Sequence, residues 1–230
     1  MSTILIAGAN RGLGLEFVRQ YAAAGERVIA TCRTPAKADA LVAIAASSGG
    51  RVTVHPLEMT EDSSIRAFKS VLGNQPVDIA IANAGIYGGN RQGWDDMDFD
   101  AWTRTFAVNT MAPLRLAQIV HANLKAGNDR KFVAITSQMG SNEGSSTGMH
   151  AYRTSKAALN KLVSTLATEW RGDGIIAVPM HPGWVRTDMG GPNAPLAPEE
   201  SVAAMRTTIR ALTPSDSGRF LNYDGARLPW

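Results

Sequence analysis

The stretch "AYRTSKAALNKL" places Tyr152 and Lys156 four residues apart. On a helix that spacing puts both side chains on one face. A free tyrosine, with a pKa of about 10, is a poor proton carrier at neutral pH. An ammonium group beside it favours the phenolate, so the phenol becomes able to exchange a proton with an alcohol or carbonyl oxygen. Y-x-x-x-K alone is common by chance, but two further polar residues stand where the same chemistry could use them. Ser137 closes the apolar run "FVAITS", where its hydroxyl can hydrogen-bond a reacting oxygen, and Asn109 lies in a helix-like segment at "VNT".

A second constellation opens the chain. "IAGANRGLGLEF" sets Gly8, Gly12 and Gly14 between an apolar run and a helix-like run. A glycine-rich turn from strand to helix leaves backbone N–H groups free at the helix N-terminus, where they and the helix dipole stabilise phosphate. The spacing is G-x-x-x-G-x-G rather than the commoner G-x-G-x-x-G, and a plain tight turn is the competing reading. Arg11 sits inside the turn, and Arg33 in "TCRTP" follows the second apolar run. Dinucleotides with a free 2′-hydroxyl usually meet a carboxylate there, and those with a 2′-phosphate meet arginine. Two guanidinium groups and no carboxylate favour NADP(H) over NAD(H); the alternative is a pair of solvated surface arginines. Asn83, Ala84 and Gly85 end another apolar run with residues small enough to admit a cofactor. Pro182, Gly183 and Thr187 follow the sixth run in "HPGWVRTDMGG".

These residues need a scaffold, and the periodicity supplies one. "TILIAG", "RVIATC", "RVTVHPLEM", "VDIAIANAG", "KFVAITS" and "IIAVPMHPG" read as strands, with "GRFLNY" as a short seventh. Between them, apolar residues recur at helical spacing over residues 13–24, 63–72, 102–124, 151–170 and 198–212. The alternation predicts an α/β fold, a doubly wound seven-stranded parallel sheet with helices on both faces, as a single domain over residues 1–230. Ligands of such sheets bind outside the carboxyl ends of the strands. The irregular stretches 86–97, 138–150 and 187–198 follow strands at that edge, so they are expected to wall the pocket.

Composition narrows the function classes. A net charge of +3, with no run of like charge, does not suit a nucleic-acid or lipid surface. The single cysteine, Cys32, cannot form an intrachain disulfide, and the apolar start lacks a charged leader, so a cytoplasmic protein is expected. No stretch reaches the ~18 apolar residues of a membrane span. His55, His121, His150 and His181 are scattered without a second ligand at metal spacing, and no metal site is expected.

Taken in order, the glycine turn, N-A-G, Asn109, Ser137, Y-x-x-x-K and P-G-x-x-x-T resemble the short-chain dehydrogenase/reductase family along the whole chain. More narrowly, "AYRTSKAALN", "HPGWVRTDMGG" and "GRFLNYDGARLPW" are similar to the Sniffer-type carbonyl reductases and the bacterial C-factor-like proteins. The resemblance implies a Rossmann fold that binds NADP(H) and acts on small carbonyl or alcohol substrates. It makes Tyr152 the general acid in reduction, with Lys156 tuning it and holding the nicotinamide ribose. Ser137 would orient the carbonyl, and Asn109 would anchor a water in a proton relay. Gly8, Asn10, Arg11, Gly12, Leu13 and Gly14 would cradle the pyrophosphate and adenosine side, with Met59 near adenine. Asn83, Ala84 and Gly85 would line the cofactor, and Val185 and Thr187 would bind its carboxamide. A homodimer or homotetramer through the helices holding Asn109 and Tyr152 is also implied. Three positions depart from the family pattern: Ala7 replaces a threonine, Glu58 an aspartate, and the interval from Ser137 to Tyr152 is slightly long.

Substrate choice is assigned to Tyr87, Met139, Met149, Trp184 and Met189, an apolar and aromatic set suited to an uncharged carbonyl compound. Ordinary loop packing is the alternative for each. Arg153 and Arg186 could grip a carboxylate or simply be solvated. The terminal Trp230 is expected to pack on its own domain or on a partner subunit. Two other function classes remain beside the reductase. One is a cofactor-binding signalling protein of C-factor type, against which the intact Asn-Ser-Tyr-Lys set argues. The other, a methyltransferase or sugar-nucleotide epimerase, is disfavoured by the arginines and the short C-terminal part.

Overall fold

The computed structural model describes residues 1–143 and 147–230 of the chain. Residues 144–146 belong to the stretch 138–150 expected to wall the pocket, and that part of the expectation lies outside the described residues.

Seven strands form one sheet: β1 (Thr3–Ala7), β2 (Arg27–Cys32), β3 (Val52–Pro56), β4 (Ile79–Ala82), β5 (Lys131–Ile135), β6 (Ile176–His181) and β7 (Leu221–Asn222). Their spatial order is β3-β2-β1-β4-β5-β6-β7, and every pairing is parallel. Helices α1 (Gly12–Ala23), α2 (Asp39–Ser47), α3 (Asp62–Leu72), α4 (Phe99–Phe106), α5 (Ala112–Ala126), α6 (His150–Glu169) and α7 (Pro198–Ala211) make the crossovers. The doubly wound parallel sheet read from the alternation is the one that forms.

Successive strand side chains point to opposite faces, and both faces here are apolar. From β1, Leu5 and Ala7 join Phe68, Leu116, Phe132 and Leu159 beneath α3, α5 and α6. Ile4 and Ile6 join Phe17, Leu41, Val202 and Met205 beneath α1, α2 and α7. Each fully buried Leu or Phe contributes about 1.5–3 kcal/mol relative to exposure, so each layer holds its helices firmly against the sheet.

Two elements differ from the periodicity. The single helix expected over 102–124 is divided into α4, a wide π turn over Ala107–Met111, and α5. Pro113 has no N–H to give the carbonyl of Asn109, four residues back, so a regular α-helix cannot run through this point. The second is α2, which has no clear apolar stripe because "ALVAIAA" is apolar at every position, and which buries only Leu41.

Strand order reverses between β1 and β4, and there the turn after β1 meets the turn after β4. A Cβ at Gly8, whose φ is +81°, would stand 2.8 Å from the Ala84 Cα, so only glycine lets the two turns approach. Ligands of open α/β sheets occupy this crevice.

Candidate active site

The glycine turn is built from its own backbone. Gly8 and Ala9 donate N–H bonds to the Thr31 carbonyl at 3.0 and 2.9 Å, and Asn83 Nδ2 donates to the Gly8 carbonyl at 2.8 Å. A Cβ at Gly14 would collide with the Gly8 carbonyl and with Asn83 Nδ2. Arg11 is the N-cap of α1 in an extended conformation, gives no side-chain cap, and is followed by no acidic residue in the first turn. The first N–H groups of α1 therefore remain available to an anion. Asn10 and Gly12 are exposed and Leu13 is half-buried along this turn.

Beyond that turn, β4 and the π turn bring Asn109 to Gly85. Asn109 Oδ1 accepts from the Ile86 N–H at 2.8 Å, while its Nδ2 donates to the Ile86 carbonyl at 2.9 Å and Ser155 Oγ at 3.0 Å. A Cβ at Gly85 would lie 3.4 Å from Asn109 Oδ1 and 3.6 Å from Lys156 Nζ. The N-A-G turn, Asn109 and Lys156 thus converge on one point.

Tyr152 is buried in the first turn of α6, with Lys156 Nζ 5.9 Å from its ring centroid. Burial pushes the Tyr152 pKa up, and a hydrogen bond with Ser137 pulls it partly back. Lys156 donates to the Ile135 carbonyl at 2.9 Å, and burial lowers its pKa from 10.5 to about 8. The expectation that the lysine charge governs the tyrosine is not met in this state of the chain: desolvation is the larger influence on both. Ser137 Oγ accepts the Met139 N–H at 3.1 Å, which leaves its own O–H free to donate. Gly140 allows this turn to dock, since a Cβ there would stand 2.7 Å from the Lys156 carbonyl carbon.

Gln92 has no motif to mark it, yet it holds the start of the helix that carries Tyr152 and Lys156. Met149, the N-cap of α6, is left-handed at φ +56° and makes no side-chain cap. Gln92 does that work from the 86–97 stretch: Oε1 accepts the Tyr152 N–H at 3.0 Å, and its main-chain carbonyl accepts from His150 at 3.3 Å. Its Nε2 donates to the Tyr87 and Gly89 carbonyls at 2.9 and 2.8 Å. Gln92→Leu would strand these buried partners, and it is expected to lower unfolding stability in urea by about 2 kcal/mol. A change below about 0.5 kcal/mol would show that the network does not persist in solution.

The arginines are divided. Arg11 pairs with Asp188 at 2.7 Å across the mouth of the crevice, both side chains largely exposed. Arg33 is exposed just after β2 and makes no ion pair among the described residues. Arg11 in the turn thus answers a nearby carboxylate, while Arg33 stays exposed at the end of β2. An exposed pair of this kind is worth no more than about 1 kcal/mol, so a phosphate could displace it. Met59 is buried against the core beneath α5.

After β6, Gly183 at φ +81° lies so close to Leu196 and the Tyr223 ring that a Cβ would not fit. The Pro182 carbonyl accepts from Ser201 Oγ at 2.6 Å, which ties this turn to α7. Val185 is buried and bridges Leu196. Thr187 Oγ1 accepts the Gly190 N–H at 3.2 Å, and a Cβ at Gly12 would lie 3.6 Å from the Thr187 methyl carbon. The turn after β6 thus faces the start of α1 across the crevice.

The residues assigned to substrate separate into groups. Tyr87 stacks on Tyr152 with centroids 5.5 Å apart, and its hydroxyl reaches Met149 Sδ at 3.0 Å. Met139 stands next to Ser137, and Trp184 lines a cleft of about 470 Å³ beyond Gln138. Met189 is exposed on its loop and does not line that cleft. Arg153 and Arg186 are turned onto backbone carbonyls, Arg153 to Gly148 and Arg186 to Ala194 and Pro195. Trp230 packs on Phe220 of its own chain, with centroids 5.9 Å apart.

A family model described as short chain dehydrogenase matches residues 2–195. The chain is 42% identical to the C-signal protein of Myxococcus xanthus over 170 residues, which is 72% of this chain and all of that protein. Among solved structures it is similar to the carbonyl reductase Sniffer of D. melanogaster, with 31% identity, a TM-score of 0.91 and full coverage of both chains. It is equally similar to an NADPH-bound carbonyl reductase from chicken fatty liver, with 32% identity, a TM-score of 0.91, and 100% and 99% coverage.

Proposed function

The chain belongs to the short-chain dehydrogenase family, and from that premise we propose that it is an NADPH-dependent reductase of small, uncharged carbonyl compounds with Tyr152 as general acid. The observation that carries this reading is the convergence of Asn109 and Lys156 on Gly85, one helical turn from the buried Tyr152, at the reversal point of the sheet. The NADPH-bound relative from chicken supports the choice of cofactor.

The residues present fit such a dinucleotide. The uncapped start of α1 offers N–H groups to a diphosphate, and Gly8 and Gly14 permit close packing there. Arg33, exposed after a strand end that carries no carboxylate, suits a 2′-phosphate. Asn83, Ala84, Gly85, Pro182, Gly183, Val185 and Thr187 would line the remainder, and Lys156 Nζ would hold the nicotinamide ribose. When bound, NADPH supplies the hydride. The chain's own groups manage the oxygen: Ser137 donates a hydrogen bond to the substrate carbonyl, and Tyr152 gives its proton to the same atom. Burial keeps Tyr152 protonated at neutral pH, which suits an acid working in the direction of reduction.

The test is a titration with NADPH and NADH, followed by NADPH oxidation across aldehydes, ketones and quinones. Binding of NADPH with turnover of one carbonyl compound supports the reading, and binding of neither nucleotide ends it. Arg33→Ala is expected to weaken NADPH by roughly ten- to thirtyfold and to leave NADH nearly unchanged. Equal losses for both would remove Arg33 from 2′-phosphate recognition.

The C-signal relative favours a second reading, in which nucleotide binding rather than turnover carries a regulatory role. Full cellular function in Tyr152→Phe would support it over catalysis. In either case we place the protein in the cytoplasm as a homodimer or homotetramer. The exposed apolar Trp94, Phe99 and Met111 near α4 support self-association, and light scattering of the purified chain tests it.

A further inference from the structure

Tyr152 stands in the first turn of α6, where N–H groups have no carbonyl of their own helix to bond. Nothing local secures that turn. Met149 before it is left-handed at φ +56°, a conformation that is costly for a residue other than glycine and persists only where outside contacts hold it, and it provides no cap. The outside contacts come from Gln92, whose main-chain carbonyl and Oε1 take the His150 and Tyr152 N–H groups at 3.3 and 3.0 Å.

The same amide reaches the far side of the phenol ring. Its Nε2 donates to the Tyr87 carbonyl at 2.9 Å, and the Tyr87 ring stacks on Tyr152 with centroids 5.5 Å and planes 28° apart. A second N–H goes to the Gly89 carbonyl at 2.8 Å. The Tyr152 N–H can only donate and the two carbonyls can only accept, so the position calls for one acceptor and two donors, which a primary amide supplies. Gln92 is only 5% exposed, so water has little access to take its place.

From Tyr152 the contacts close into a ring. Its carbonyl accepts from Ser155 Oγ at 2.7 Å, and that oxygen accepts from Asn109 Nδ2 at 3.0 Å. Asn109 in turn holds Ile86, next to Tyr87, by both its N–H and its carbonyl. Both main-chain polar groups of Tyr152 are thus tied to one loop, at Gln92 directly and at Ile86 through Ser155 and Asn109. A fully satisfied buried network of this kind rigidifies what it encloses.

We infer that Gln92 is a positioning residue for the reaction: its amide sets the Tyr152 main chain and the Tyr87 ring in one geometry, and so places the phenol that gives the proton. The inference rests on the reductase reading above. Gln92 acts through Tyr152, and a displacement of about 1 Å at a reacting group can cost on the order of a hundredfold in rate.

The experiment uses Gln92→Met, which keeps the unbranched shape and removes the amide, with rates compared at equal helix content by circular dichroism. Gln92→Asn, one methylene shorter, serves where the methionine variant does not fold, because its amide can still serve its own loop while losing its reach to Tyr152. Single-turnover kcat for ketone reduction should fall about ten- to a hundredfold. NADPH affinity should stay within about threefold, since Lys156 keeps its own anchor on the Ile135 carbonyl and the glycine turn is not touched. In a Tyr152→Phe background the same substitution should change the residual rate by less than about twofold, because the group it positions is gone. An equal loss in both backgrounds, a kcat loss below about threefold, or a tenfold loss of NADPH affinity overturns the inference and leaves the reductase reading intact. If the unaltered protein turns over no carbonyl compound, the reductase reading fails instead. The hold on Tyr152 is then judged by amide hydrogen exchange of the cofactor-free protein. Exchange of the Tyr152 N–H at least about tenfold faster in the variant, with the Leu159 and Val163 N–H groups of the same helix unchanged, upholds it, and equal protection of Tyr152 overturns it.

Discussion

Tyr152→Phe is expected to lower kcat for ketone reduction by about a thousandfold or more, at the upper part of the range for losing a positioned general acid. The affinity for NADPH should stay within about threefold, because the change removes one oxygen and keeps the ring. That ring is packed on both sides of its role: Tyr87 stacks on it, and Gln92 fixes the main chain beneath it. The phenol is the group that desolvation keeps protonated at neutral pH. Ser137 can still polarise the carbonyl in the variant, but it has no relay to replace the proton it would give away. Single-turnover rates with saturating NADPH, compared at equal helix content by circular dichroism, decide the matter. A loss smaller than tenfold would mean that the proton comes from elsewhere and would remove Tyr152 from the reaction.

Most of what positions that phenol could be read from local patterns. Strand and helix periods differ, so the alternation from β1 to β7 emerged from the order of apolar residues. Gly8 and Gly14 were legible because backbone crowding excludes any other residue there. Tyr152 and Lys156 were legible because their spacing repeats the helix period. Gln92 was not, since its partners are main-chain groups of Tyr87, Gly89 and Tyr152, and no residue type announces a bond to a backbone sixty positions away. The π turn carried a signal in Pro113, whose missing N–H faces the Asn109 carbonyl. The lining of the cleft beyond Gln138 was the least legible: of the five loop side chains assigned to substrate, Trp184 lines it, Tyr87 and Met149 lie together beside Tyr152, and the C-terminal Tyr223 and Leu228 supply much of the cleft wall. Which loop side chain turns inward depends on contacts between distant segments, as Arg11 shows by turning to Asp188.

Lys156→Met should separate the catalytic use of the lysine from its cost to folding. Nearly the whole side chain is buried, its one hydrogen bond goes to the Ile135 carbonyl, and burial brings its pKa from 10.5 to about 8. Between pH 8 and 10.5 the unfolded chain holds this proton and the folded chain has released it. Stability therefore rises with pH across that window, and the lysine's penalty is fully present below pH 8. For the cofactor-free protein, the penalty removed by methionine is on the order of 3 kcal/mol at pH 7 and fades as pH approaches 10.5. Urea unfolding of both proteins at pH 7, 9 and 10.5 reads the difference directly; a gap that does not shrink with pH would show that Lys156 is not held as a depressed, buried ammonium. Catalysis should move in the opposite sense. The turnover of the variant should fall by at least about a hundredfold, since the nicotinamide ribose loses its positioning contact. A variant that is more stable at neutral pH and far slower would mean that the fold tolerates a buried charge because the reaction uses it.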